Sequence, residues 1–146
     1  MFIYWIALTL LIVAGSIFSQ VHHNDEAMAE QATLDAISRS MLVYRSAAAE
    51  YARANPAFVG APPEGALNLP NWYTKQSGIT TYVVGGVSYT YITGTVPSGL
   101  PAALTERTES ATIGVKRSGQ LFSSKGGNMA IAVPAPVPEG VVVAVY

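Results

Sequence analysis

A chain of 146 residues with 12% charged side chains and a net charge of −1 has room for one modest core. It carries no basic patch able to neutralise a run of phosphates, which excludes nucleic acid as a direct partner. The absence of cysteine removes disulfides, thiolate metal sites and thiol nucleophiles together.

Residues Met1 to Phe18 carry no charged side chain, and the first charge in the chain is Asp25. An apolar run of this length reads as a single membrane-spanning helix, with Tyr4 and Trp5 near one end as interfacial rings. A cleaved secretory signal is the competing reading. It has a small-x-small step at Ala14-Gly15-Ser16 but no basic start, so the retained anchor is favoured. With acidic Asp25 and Glu26 first beyond the run, the expected orientation leaves the rest of the chain in the periplasm of a Gram-negative cell. Residues 1–18 are therefore the expected anchor and 19–55 a neck with a long helix. Residues 56–146 are the expected β-rich domain, packed with that helix into one globular unit.

The neck holds His22-His23. Adjacent histidines diverge by about 100° on a helix, and with no Cys and no third His they make no metal site. From Asp25 to Asn55 the pattern is helical. Leu34, Ile37, Met41, Tyr44, Ala48 and Tyr51 fall on one stripe, and Pro56 forces the stop. Too few heptads are present for a coiled coil, so the stripe is expected to cover a sheet of its own domain.

Pro62-Pro63, Gly60, Gly65 and Pro70 punctuate an irregular connector from Ala57 to Asn71. Phe58, Leu67, Leu69 and Trp72 are expected to pin it to the core, since aromatic rings bury the most area. A hairpin follows, Thr80–Val84 and Val87–Thr93 joined by Gly85-Gly86. Pro101 opens a short helix through Arg107. A second hairpin joins Ala111–Arg117 to Gln120–Ser123 through Ser118-Gly119. Met129–Val133 is a further strand, and Gly140–Tyr146 a buried closing strand that the sheet must receive. The fold class is thus α+β: an N-terminal transmembrane helix, then a long amphipathic helix packed on a mainly antiparallel sheet built from hairpins.

Chemistry is sparse. Gly85-Gly86 and Gly126-Gly127 lack the spacing of a phosphate loop. Ser123-Ser124-Lys125 resembles a Ser/Lys dyad only in composition, because catalysis needs a desolvated Lys and an oxyanion site. Glu106 and Glu109 flank Arg107 as a solvated helix end, and Asp35 and Glu50 are far apart on the long helix. No nucleophile, base and orienting group form a set, so no catalytic, cofactor or metal residue is expected and the protein is read as no enzyme. Contact residues, if exposed, are Tyr44, Tyr51, Trp72 and Tyr73.

The apolar helix ending near Val-Ala-Gly and the small-residue-rich helix after it resemble the PilM family of type IVB conjugative pilus operons. So do Gly99-Leu-Pro-Ala-Ala-Leu-Thr-Glu-Arg-Thr108, Gly114-Val-Lys-Arg-Ser-Gly-Gln-Leu121 and the final Pro138-Glu-Gly-Val-Val-Val143. This family is distinct from the actin-like protein of the same name in type IVA systems; no nucleotide-binding pattern occurs here. The resemblance implies an inner-membrane-anchored component of thin-pilus biogenesis in plasmid transfer, with other type IVB assembly proteins as partners. It brings no catalytic residues, and self-association is left open. A minor pilin or pseudopilin is the alternative, sharing the apolar helix and β-rich head. The prepilin signal wants a basic leader and a Glu five residues beyond the cut, whereas the fifth residue after Gly15 is Gln20.

Overall fold

A computed structural model describes the backbone of residues 2–146 and the side chains of residues 4–12 and 27–146. Contacts divide the chain into two compact units, Met1–Thr33 and Leu34–Tyr146. The first helix, α1 (Phe2–Ala54), enters both.

In the first unit Tyr4, Trp5, Ile6, Leu8, Leu10, Leu11 and Ile12 are all exposed. Thr9 returns its hydroxyl to the carbonyls of Trp5 and Ile6, each at 3.0 Å, so its polarity is satisfied within the helix. Among the described residues no helix is long and apolar enough to cross a membrane, and the structure does not support the spanning helix expected over residues 1–18. Half of that expected anchor, and the His22-His23 neck, lie outside the described side chains.

The second unit is α+β, and every strand pairing in it is antiparallel. Its strands are β1 (Ile79–Val84), β2 (Val87–Ile92), β3 (Ile113–Arg117), β4 (Gln120–Ser123), β5 (Gly127–Ala132) and β6 (Val142–Val145). They form one sheet in the order β1-β2-β6-β3-β4-β5. A short helix α2 (Leu100–Thr108) and a 3-10 turn at Glu64–Ala66 complete the elements. Both expected hairpins form, and their turns show why. Gly85 and Gly86 have φ of 61° and 77°, and Ser118 and Gly119 have 50° and 74°. Two successive positive φ values are the mark of the type I′ turn, whose twist matches that of the strands.

The closing strand β6 sits between the two hairpins, which neither hairpin pattern reveals. Val142 to Val145 are all buried, because both faces of the sheet are covered at the centre. On one face Val142 and Ala144 join Ile79, Ile92 and Ile113 beneath Met41, Tyr44 and Ala47 of α1 and Leu100 and Leu104 of α2. The stripe expected on α1 is therefore core, with Leu34, Ile37 and Tyr51 packed at its margins. Helix-on-sheet packing absorbs the apolar face that a coiled coil would have used.

On the opposite face Val143 and Val145 meet Leu121, Val133 and Val137. The proline-rich passage after β5 lies over them and is tied down by Lys116. Its ammonium donates to the carbonyls of Pro134 at 3.0 Å and Val137 at 2.7 Å, with Glu139 Oε1 at 3.4 Å. A cation this buried is tolerated because its ammonium donors are used.

Among the described residues Tyr44 is the largest fully buried side chain. Burial first, then the nearby Glu64 carboxylate and Tyr73, push its hydroxyl up to about 12. A group whose folded pKa lies above its unfolded value near 10 gives full stabilisation below that value and loses it as pH climbs through the folded pKa. Stability is expected to fall by on the order of 2 kcal/mol between pH 10 and 12. Alkaline urea titrations of wild type and Tyr44→Phe check this: the phenylalanine variant should show the shallower fall.

Candidate functional site

The residues singled out for chemistry are not brought together. Ser123 is buried and accepts from the backbone N–H of Lys125 at 3.4 Å, while Ser124 donates to Thr105 Oγ1 at 3.2 Å. Ser123 ends β4, Ser124 and Lys125 lie in the turn after it, and Lys125 is exposed rather than desolvated. Asp35 is committed to Arg39 at 2.9 Å and to Arg107 of α2. Glu106 and Glu109 are exposed, and Glu109 is the left-handed cap of α2 with φ of 50°. Among the described residues no three His, Cys, Asp or Glu side chains could hold a metal ion.

The candidate contact residues separate. Tyr44 is core, and Tyr51 is half-buried with its ring edge-on to Phe58 at 5.3 Å. Tyr73 shares a hydrogen bond with Ser40 Oγ at 3.0 Å and lies 6.4 Å from the Tyr44 ring. Trp72, expected to pin the connector, is instead 74% exposed. The reason is local. The N–H of Tyr73 closes a turn on the Pro70 carbonyl at 2.9 Å, and neighbouring side chains diverge there. Tyr73 takes the inward place, and Trp72 stands out from the surface.

Trp72 rises beside α1 between two hollows. The larger, about 550 Å³, runs along Ala36, Arg39, Ser40, Leu42 and Val43. The smaller, about 220 Å³, runs along Val43, Ser46, Ala47 and Glu50, with Pro70 opposite. Steps of three and four link Ala36, Arg39, Val43, Ser46 and Glu50, so these residues form a second stripe, on the side of α1 away from the sheet. Val43 is half-buried and the other four are exposed. Small side chains let another backbone approach closely, and the indole supplies apolar area at low entropic cost. Such a face can bind a helix. The inner stripe is legible in the sequence and the outer one is not, because Arg39 and Glu50 break its apolar character; its signal is the same three- and four-residue spacing through Ala36, Val43 and Ser46.

The PilM family model matches residues 8–145. The chain belongs to the PilM family. A solved structure described as a PilM protein from Pseudomonas aeruginosa 2192 is 48% identical, covering 76% of this chain and 92% of its own, with a TM-score of 0.50. A second, described as PilM from Escherichia coli B7A, is 21% identical with a TM-score of 0.60 over 80% of this chain and 93% of its own. At that identity the second supports the fold alone. No curated protein matches. The PilM match includes α1 from residue 8, both hairpins and β6 up to residue 145, so it takes in the outer stripe and Trp72.

Proposed function

We propose that this protein is a non-catalytic component of type IVB pilus assembly. It is held in the inner membrane by residues 1–18, with its C-terminal domain in the periplasm, and supports conjugative transfer through contacts with other assembly proteins. The observation that carries the reading is the family match over nearly the whole chain. The anchor is supported by the exposed apolar run from Tyr4 to Ile12, which needs a lipid or protein environment. Contact rather than chemistry is supported by the dispersal of the candidate catalytic residues and by the open face at Trp72.

The test is deletion of this gene alone, restored in trans. Surface pili and liquid mating are both expected to disappear while the shaft subunit is still made. Unchanged pili and mating would defeat the pilus reading. Protease added to spheroplasts tests the placement: the C-terminal domain should be digested, and its survival would refute a periplasmic location.

A further inference from the structure

We infer that the hollow between α2 and the β3–β4 hairpin is a binding site for a carboxylate carried on an apolar group. The hollow lies wholly within the Leu34–Tyr146 unit, so the inference depends on neither the anchor nor the pilus reading.

Its volume is about 340 Å³, within the range of small-ligand pockets. Side chains alternate along β3, so Arg117 shares a face with Val115, which packs with the core beneath the helices and pairs with Phe122 of β4. Val115, Phe122 and Pro101 of α2 give the hollow its apolar lining. Among the described residues that line it, Arg117 alone is charged. Arg117 is exposed, and among the described residues no acid pairs with it. Glu139 accepts from the Gly119 N–H at 3.0 Å and meets Lys116, whose side chain leaves the opposite face of β3. The guanidinium fork is therefore open, and its planar donors match the two oxygens of a carboxylate.

Ser123 supplies a second donor. It is 6% exposed, and its oxygen accepts from the Lys125 N–H at 3.4 Å, while its proton has no acceptor among the described residues. A buried hydroxyl proton without an acceptor is costly, and an anion in the hollow takes it up. The wall is also set in advance. Ser124 donates to Thr105 Oγ1 at 3.2 Å and Thr105 donates to the Pro101 carbonyl at 2.7 Å, a chain that ties the end of β4 to α2 without any ligand. A single cation suits a single negative charge, and the apolar lining suits the group that carries it. Such a carboxylate is either the end of a polypeptide or a small free acid.

The experiment titrates the full-length, isotope-labelled protein in nonionic detergent and follows its amide signals by NMR. The probes are phenylpropionate, acetyl-alanyl-phenylalanine, the amide of each, and inorganic phosphate. Both acids are expected to give saturable shifts at Ser123, Ser124 and Gly127, with dissociation constants on the order of 1 mM or below. Each amide should bind roughly tenfold more weakly or worse, as should either acid to Arg117→Gln. Arg117→Lys should keep part of the affinity through its remaining charge, and Ser123→Ala should lose several-fold. If the peptide binds the tighter of the two acids, the site takes a polypeptide end; if phenylpropionate does, it takes a small free acid. Either outcome supports the inference. No saturable shift up to about 10 mM, amides that bind as well as the acids, or unchanged affinity in Arg117→Gln would overturn it. Phosphate binding as tightly as phenylpropionate would also overturn it, because the apolar group would then contribute nothing. Pili and mating after gene deletion test the assembly role alone, so either reading can fail without the other.

Discussion

One methyl group at Gly114 is expected to remove much of the stability of the sheet. A Cβ there would lie 2.1 Å from the carbonyl oxygen of Phe122 and 2.9 Å from the amide nitrogen of Ser123, all of it backbone of the neighbouring strand. A flexible side chain could swing away; a paired strand cannot. Gly114 sits in β3 opposite Val143 of the buried β6, so any shift is passed directly into the centre of the fold. Gly114→Ala is expected to cost about 3–5 kcal/mol, a large part of what a domain of this size possesses. Urea unfolding of the full-length protein in detergent measures it. Gly65→Ala is the control, since a Cβ there meets nothing within 4 Å. It should change stability by less than about 0.5 kcal/mol.

The second large effect is expected at Arg45, which ties α1 to the closing strand. Its Nη2 donates to the Val145 carbonyl at 2.8 Å and to Thr112 Oγ1 at 3.2 Å, and its guanidinium lies 5.0 Å from the centre of the Tyr146 ring. Burial holds its pKa below the usual arginine range, opposed by its interaction with Tyr146. Nε has no partner, so one donor already lies buried without compensation. Arg45→Met keeps most of the stem and loses the fork. The expected loss is about 2–3 kcal/mol, the scale of hydrogen bonds from a charged donor. Arg45→Lys should recover less than half of it, because an ammonium cannot reproduce the planar geometry. Hydrogen exchange of the β6 amides provides a second readout, with faster exchange expected in both variants.

These two positions show where sequence was informative and where it was not. The hairpins were legible because Gly85-Gly86 and Ser118-Gly119 impose a turn chemistry that few other residues meet. The covered stripe on α1 was legible because its apolar spacing has one period and one sheet to cover. The place of β6 was not, since a strand pattern states that a segment pairs and never with which neighbour. Gly114 reads as an ordinary strand residue until Phe122 is placed beside it. Arg45 reads as a solvated helical charge until β6 passes beneath it.

Strand limits drifted for similar reasons. The fifth strand, expected at Met129–Val133, runs Gly127–Ala132 with an irregular register against β4. Ala130 adopts φ of 53° there, a conformation no composition rule assigns to alanine. Trp72 shows the limit of burial arguments from residue type. Its area would favour the core, but a turn offers one inward place and Tyr73 holds it.

The proposed function requires a retained, membrane-held contact protein that is not processed into a shaft. Intact mass spectrometry of the protein isolated from producing cells tests it most directly. The expected mass includes the apolar segment Met1 to Phe18. A chain beginning at Ser16, cut after Gly15, would place it among pilin-like subunits. A cut at another small-residue site would make it a secreted protein, and either mass would contradict the anchor on which the proposed function rests.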